Sequence, residues 1–181
     1  QEGNVCFPLV TSVNDTRSVD EEDFGVHLQV DFATELFGMP FRGDFGVRYV
    51  ETDMESNGLQ TVGGQNEVVT ARNSYSDTLP AVNLVLEPID SVLVRASYSK
   101  VMSRPGLGNL TPGGSINGFA VPPTVSYGNP YLDPFRADAY DLSFEWYFGQ
   151  GALVSLALFR KEIASFISAT RESVPWSELG L

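Results

Sequence analysis

The main pattern along the chain is an alternation of apolar and polar side chains with a period of two, beginning near residue 24. In the first such run Phe24, Val26 and Leu28 alternate with Gly25 and His27. Successive side chains of a β-strand point to opposite faces, so this pattern predicts strands with one apolar and one polar face. A helical period of 3.6 is nearly absent. The sequence therefore predicts an all-β fold.

Turn residues divide the alternating runs into six long strands. The predicted strands are 24–37, 41–52, 67–87, 91–101, 136–148 and 152–163. Turns of about three residues join strands one to two, three to four and five to six, whereas long loops, 53–66 and 102–135, make the other two connections. The prediction is an antiparallel meander of about six long strands, with the short turns at one end and the long loops and both termini at the other.

Two kinds of protein have strands with this alternation of apolar and polar side chains. In a soluble β-sandwich the apolar face is the core, whereas in a membrane barrel it meets lipid and the polar face lines a lumen. Strands of about 11–13 residues are longer than globular strands usually are. Aromatic residues also cluster at both ends of the apolar faces, as at lipid boundaries. They are Phe37, Phe41, Trp146 and Phe148 near the short turns, and Phe24, Tyr49, Tyr98 and Tyr140 near the long loops.

Charge and residue counts exclude several functions. The formal net charge of −12 argues against nucleic-acid binding, which needs surplus lysine and arginine. A single cysteine, Cys6, excludes an internal disulfide, and a single histidine, His27, excludes zinc motifs that need two imidazoles. No segment resembles a signal peptide or an apolar spanning helix, but barrel strands need only about 9–11 residues to cross a bilayer.

No catalytic or metal site emerges from the acidic residues. Asp141 and Glu145 share one strand face about 13 Å apart by strand rise, which is too far for the roughly 5–9.5 Å of a glycosidase pair. The acidic run 20–23 and the pair Asp53 and Glu55 lack an ordered spacing of cation ligands and are interpreted as solvated loop. We therefore predict no enzyme activity, no metal and no cofactor.

Four segments, taken in order, carry a set of short motifs. The first two are YSDTLPAVNL at 75–84 and VRASYSKVMSRP at 94–105. The third is GNPYLDP at 128–134, which runs into AYDLSFEWYF at 139–148, and the fourth is ALFRKEI at 157–163. In this order the four segments resemble stretches of TonB-dependent receptor barrels. The resemblance extends from about Phe24 to Ile167 and is nearest to the subgroup common in Xanthomonas- and Caulobacter-type bacteria.

The resemblance implies a segment of a 22-stranded barrel in the outer membrane of a Gram-negative bacterium. The intact receptor would import a bulky nutrient, an oligosaccharide or a metal chelate such as a siderophore, using a plug domain and coupling to TonB. Neither a plug nor a TonB box is found in this sequence, and six strands are fewer than the eight of the smallest closed barrels. The chain is therefore predicted to be an internal barrel fragment whose parent carries out transport.

The resemblance places ligand recognition on extracellular loops, and the long loop 102–135 supplies the candidates Arg104, Tyr127, Asn129 and Tyr131. Tyrosines stack on ligand rings, although packing within the loop is the alternative role. Arg104 could contact carboxylates of the ligand or of the plug, or it could pair with a wall acid such as Glu145. Trp176, in the predicted C-terminal loop, is a further stacking candidate.

Two other functions fit an all-β chain. A soluble carbohydrate-binding module would use the same aromatic residues as a stacking platform, and a β-sandwich hydrolase would need a nucleophile and a base that the sequence does not show. Solubility separates the first from a barrel. An isolated barrel segment exposes an apolar face and two strand edges, so we predict that it self-associates as a homodimer when kept without lipid.

Overall fold

A computed structural model describes residues 17–62, 65–112, 114–117 and 121–175, and these residues form strands and connections. The strands are β1 Ser18–Leu36, β2 Met39–Val62, β3 Gln65–Ile89, β4 Val92–Ser103, β5 Gly114–Asn117, β6 Thr124–Tyr127, β7 Phe135–Phe148 and β8 Ala152–Ile163. A 3-10 turn, Leu107–Asn109, precedes β5. Among these residues no helix is long and apolar enough to cross a membrane.

The six long strands form one antiparallel sheet in the order β1-β2-β3-β4-β7-β8. Each long strand pairs with the next long strand along the chain, and β5 and β6 pair only with each other. The predicted antiparallel meander of six long strands is confirmed. The sheet is open, because β1 and β8 lie at its two edges.

Short turns close three of the hairpins at one end of the sheet. Leu36 pairs with Met39, so the first turn is the two-residue Phe37–Gly38, and both residues have positive φ (53° and 78°). Positive φ at both central residues matches the twist of the flanking strands, and glycine adopts it without strain. The other two turns are at 90–91 and 149–151, which places all three at the end where short turns were predicted.

The predicted loop 53–66 is wrong, because β2 and β3 continue through it as a paired hairpin up to Val62 and Gln65. Even-numbered residues of β2 from 50 to 58 are buried, whereas their odd-numbered neighbours are half-buried or exposed. The buried side chains include Thr52 and Ser56, which are polar, and the exposed ones include the charged Glu51. The segment keeps the geometry of a strand but loses the alternation of apolar and polar side chains, and for this reason its sequence predicts a loop.

The acidic run 20–23 and the pair Asp53 and Glu55 likewise lie in strands, in β1 and β2, and not in the loops predicted for them. The long connection predicted at 102–135 is present between β4 and β7, but it contains the 3-10 turn and the short β5–β6 hairpin.

One face of the sheet, which we call the apolar face, is mainly exposed on β1, β7 and β8 and half-buried on β3 and β4. On β7 and β8, for example, Trp146 is 48% and Leu156 62% exposed. Contacts between strands run mainly between sheet neighbours, and among the described residues no second layer covers this face. A soluble sandwich would bury these side chains, so that alternative is not favoured. The face is formed mainly by Phe24, Val26, Leu28, Val30, Phe45, Val47, Val82, Leu84, Val94, Leu142, Phe144, Trp146 and Leu156.

The dimensions of the apolar face suit a bilayer. On β1 it extends from Phe24 to Leu36, about 40 Å at roughly 3.3 Å per residue, and a tilt of about 45° reduces this to ~28 Å of height. The outward-facing apolar band of a transmembrane barrel is about 25 Å tall. Beyond this band the same face becomes charged, as at the pair Lys100 and Asp138.

Aromatic pairs lie at both borders of the band. Tyr98 and Tyr140 contact each other at 5.1 Å between ring centroids, and the Tyr98 hydroxyl donates to Asp138 at 2.8 Å. At the short-turn border Trp146 and Phe148 are 4.8 Å apart. Rings that are apolar on one side and hydrogen-bonded on the other suit the boundary between lipid and water.

Candidate functional site

The candidate site is the connection between β4 and β7, residues 104–134, which we call the β4–β7 loop. Its described residues, 104–112, 114–117 and 121–134, pack on the face opposite the apolar face, hereafter the polar face, at the end of the sheet away from the short turns. Thr52 of β2 is fully buried there, Leu110 and Pro134 of the loop are among the most buried side chains described, and β5 contacts β2. The loop is therefore packed against the sheet and does not extend freely into solvent.

Arg104, the first residue of the loop, ties it to two strands. Its Nη2 donates to Asp23 Oδ1 at 2.5 Å and lies 3.4 Å from Thr52 Oγ1, while Thr52 donates to the same Asp23 oxygen at 2.6 Å. The guanidinium thus extends from the end of β4 across β3 to β2 and β1. Desolvation opposes its charge, but Asp23 and a hydrogen bond with Tyr75 outweigh this and raise the pKa of Arg104.

Arg136, at the start of β7, ties down the other end of the loop. Its Nε and Nη2 donate to the two carboxylate oxygens of Asp77 at 2.6 and 3.1 Å, and its Nη1 lies 3.6 Å from Asp133. The Asp77 side chain is only 5% exposed. The hydrogen bond with Asp77, helped by both carboxylates, raises the pKa of Arg136. A two-pronged arginine–carboxylate contact fixes both direction and distance.

The inner part of the loop is held by backbone contacts. The Asn129 N–H donates to the Asn109 carbonyl at 2.6 Å, and the Asn129 side-chain oxygen accepts from the Tyr131 N–H at 2.9 Å. A Cβ on Gly128 would collide with the carbonyl oxygen of Asn109 and lie 2.9 Å from that of Thr111, so only glycine allows this approach. The turn 127–131 is therefore fixed against the segment 107–111.

The four predicted ligand residues all belong to this loop, but they have different environments. Tyr127 and Tyr131 flank the fixed turn and are 70% and 63% exposed. Asn129 is exposed and also shapes the turn. Arg104 pairs with a wall acid, as one of its two predicted roles required, but that acid is Asp23 and not Glu145. Ligand binding by these four residues stays a prediction.

Below the loop, polar-face side chains of neighbouring strands hydrogen-bond to one another. Glu145 accepts from Arg95 at 2.9 Å and from the Tyr147 hydroxyl at 2.8 Å. Asn83 donates to Asp44 at 2.9 Å on the neighbouring strand. This network suits a hydrated lumen, in which polar wall groups satisfy each other.

The acidic strand ends do not form a cation site in the described part of the chain, where no group of three or more histidine, cysteine, aspartate or glutamate side chains is placed to hold a metal. Glu55 instead accepts from Arg72 at 2.8 Å, and that hydrogen bond and charge lower the pKa of Glu55. Cys6 and Trp176 lie outside the described residues.

Sequence reasoning missed the partners that anchor the loop, namely Asp23, Thr52, Asp77 and Arg136. Each lies on a different strand from its partner, so no spacing along the chain connects them. The available signal was weak: Arg104 and Arg136 lie at the two ends of the longest stretch of the sequence without lysine or arginine.

An antiparallel sheet with an exposed apolar band, aromatic borders and a polar opposite face has the organisation of a transmembrane barrel wall. The profile of the family described as "TonB dependent receptor-like, beta-barrel" matches residues 2–180. The chain belongs to this family, whose members are transport receptors of the Gram-negative outer membrane. A comparison with curated protein sequences gave no match.

Among solved structures, the chain is similar to three siderophore receptors at low sequence identity. For the ferric enterobactin receptor PfeA of Pseudomonas aeruginosa the TM-score is 0.45 at 14% identity, with 80% of this chain and 27% of that chain covered. For PirA of Acinetobacter baumannii the TM-score is 0.43 at 14% identity, with 80% of this chain and 27% of that chain covered. For PirA of Pseudomonas aeruginosa the TM-score is 0.48 at 12% identity, with 91% of this chain and 36% of that chain covered. The chain thus spans about a quarter to a third of these receptors.

Proposed function

We propose that the chain forms part of the barrel wall of an outer-membrane receptor that imports a bulky nutrient by TonB-dependent active transport. The observation that carries this proposal is the division of one continuous sheet into an exposed apolar band and a hydrogen-bonded polar face. A wall of this kind separates hydrocarbon from a hydrated lumen. The plug domain and TonB are the partners required of the intact receptor, and its ligand is an oligosaccharide or a metal chelate such as a siderophore.

The β4–β7 loop is the part of the chain that we propose contacts this ligand, through Tyr127, Tyr131 and Asn129. Two exposed tyrosines on a fixed turn offer flat, amphipathic surfaces at little conformational cost. Arg104 is proposed to position the loop, because its guanidinium is engaged by Asp23 and Thr52. We further propose that the chain is related to the Xanthomonas- and Caulobacter-type subgroup. We also propose that the isolated chain self-associates as a homodimer through its apolar face and the edges of β1 and β8.

Uptake in whole cells tests the function. We expect a strain that carries the full-length gene to accumulate one labelled probe from a set of uncharged and acidic oligosaccharides and ferric chelates. Accumulation should fall to background when either this gene or the gene for TonB is deleted, because transport across the outer membrane requires both. Uptake that is unchanged in both deletion strains would contradict the proposed function.

A further inference from the structure

The β4–β7 loop has an unusual charge composition. Residues 105–134 contain no lysine, arginine, histidine or glutamate, and a single aspartate, Asp133. Its polar side chains are asparagine, serine, threonine and tyrosine. Recognition of an anionic ligand normally uses arginine or lysine, which donate charge-assisted hydrogen bonds. The loop itself offers no such group.

The two arginines that adjoin the loop do not fill this role, because both are committed to carboxylates. Arg104 donates to Asp23, and Arg136 donates through two nitrogens to the nearly buried Asp77. Withdrawing Arg136 would leave the nearly buried Asp77 without its partner, which is costly because that carboxylate is desolvated. Withdrawing Arg104 would break its contacts with both Asp23 and Thr52. They hold the ends of the loop in place.

The strand end beside the loop adds carboxylates to the face on which the loop packs. Thr52 lies on that face, and the β1 residues that share it are Asp23, opposite Thr52, and Glu21, opposite Met54. Arg104 engages Asp23, and the charge of Glu21 also acts on Arg104. Negative charge at this edge of the loop disfavours an anionic ligand.

We propose that the β4–β7 loop is a preformed platform for an uncharged ligand surface, contacted by Tyr127 and Tyr131. This inference rests on the proposed function and narrows its ligand to neutral chemistry, such as an uncharged glycan or an uncharged metal chelate. The Asn129–Asn109 hydrogen bond and the close packing of Gly128 fix the turn between the two tyrosines before any ligand arrives. Binding therefore requires little ordering of the loop.

Four labelled probes test the proposal on the purified full-length receptor. They are an uncharged glucose hexasaccharide, its uronate counterpart, an uncharged ferric trihydroxamate and an anionic ferric tricatecholate. We expect one uncharged probe to bind, with an affinity nearly constant between low and high salt. Tyr127→Ala and Tyr131→Ala should each weaken that binding roughly tenfold, as expected for the loss of an aromatic stacking surface. Val121→Ala is the matched control, because Val121 is a 98% exposed apolar residue of the same loop.

The outcomes separate this inference from the proposed function. Three results would each overturn the inference. The first is binding of an anionic probe that depends on the tyrosines, and the second is no binding of either uncharged probe. The third is binding of an uncharged probe that both tyrosine variants leave unchanged. The proposed function survives the first of these results if the anionic probe is taken up in a TonB-dependent manner. Comparing the two uncharged probes distinguishes a glycan from a chelate as the ligand.

Discussion

Replacing Ala96 with arginine should destabilise the full-length receptor in a bilayer by about 2–4 kcal/mol, the cost of a cation on the lipid face near mid-bilayer. Ala96 lies on the apolar face in the middle of β4, between Leu84 of β3 and Leu142 of β7. An arginine there would place its charge among hydrocarbon groups. The measurement is equilibrium folding into phospholipid vesicles during a denaturant titration.

Ser97→Arg is the matched control, because Ser97 is the next residue, is similar in size and lies on the opposite face. Its neighbours across the sheet are Asn83 and Asp141, so a new guanidinium there has polar partners and a carboxylate. We expect a change of roughly 1 kcal/mol or less. Equal destabilisation by both substitutions would be incompatible with lipid on one side and a hydrated lumen on the other.

Removing the carboxylate of Asp77 should have the second-largest effect. Asp77→Ala leaves Arg136, whose side chain is only 26% exposed, without its two-pronged partner. Breaking a fully buried ion pair costs about 3–5 kcal/mol, and we expect about 2–3 kcal/mol because Arg136 retains some contact with water. Equilibrium unfolding of the full-length receptor measures the loss. Amide exchange in residues 128–136 should also become faster, because this end of the loop is released.

Two comparisons check the interpretation of the Asp77 result. Glu55→Ala breaks the Glu55–Arg72 pair, which lies at the surface, and should leave stability nearly unchanged. Asp77→Ala combined with Arg136→Met should be less damaging than the sum of the single changes, because the second substitution removes the unpaired charge. An additive double variant would mean that the two side chains do not depend on each other.

The long strands were predictable because lipid imposes a local requirement on them. On β7, Tyr140, Leu142 and Phe144 must be apolar and the residues between them polar or small, so the pattern is visible in any short window. The prediction of 136–148 corresponds to Phe135–Phe148 in the structure. The open six-stranded meander and its exposed apolar face follow from such runs.

The continuation of β2 beyond residue 52 was not predictable in this way. Thr52 and Ser56 are buried on the face where the β4–β7 loop packs, and that loop begins at Arg104, 52 residues after Thr52, so their burial leaves no local apolar signal. The partners of Arg104 and Arg136 were hidden for a similar reason. Asp23 and Asp77 meet them only through the register of several strands, and a spacing along the sequence does not encode that register.

The division between lipid and lumen is tested most directly by a spin-label scan of β7. Single cysteines at positions 141–147 of the full-length receptor, with Cys6 replaced, would carry a nitroxide in reconstituted bilayers. We expect labels at 142, 144 and 146 to collide with oxygen, which concentrates in lipid, and labels at 141, 143 and 145 to collide with a water-soluble nickel chelate. If labels at 142, 144 and 146 were shielded from both reagents, the apolar face would be a protein core, and the barrel-wall account would be wrong.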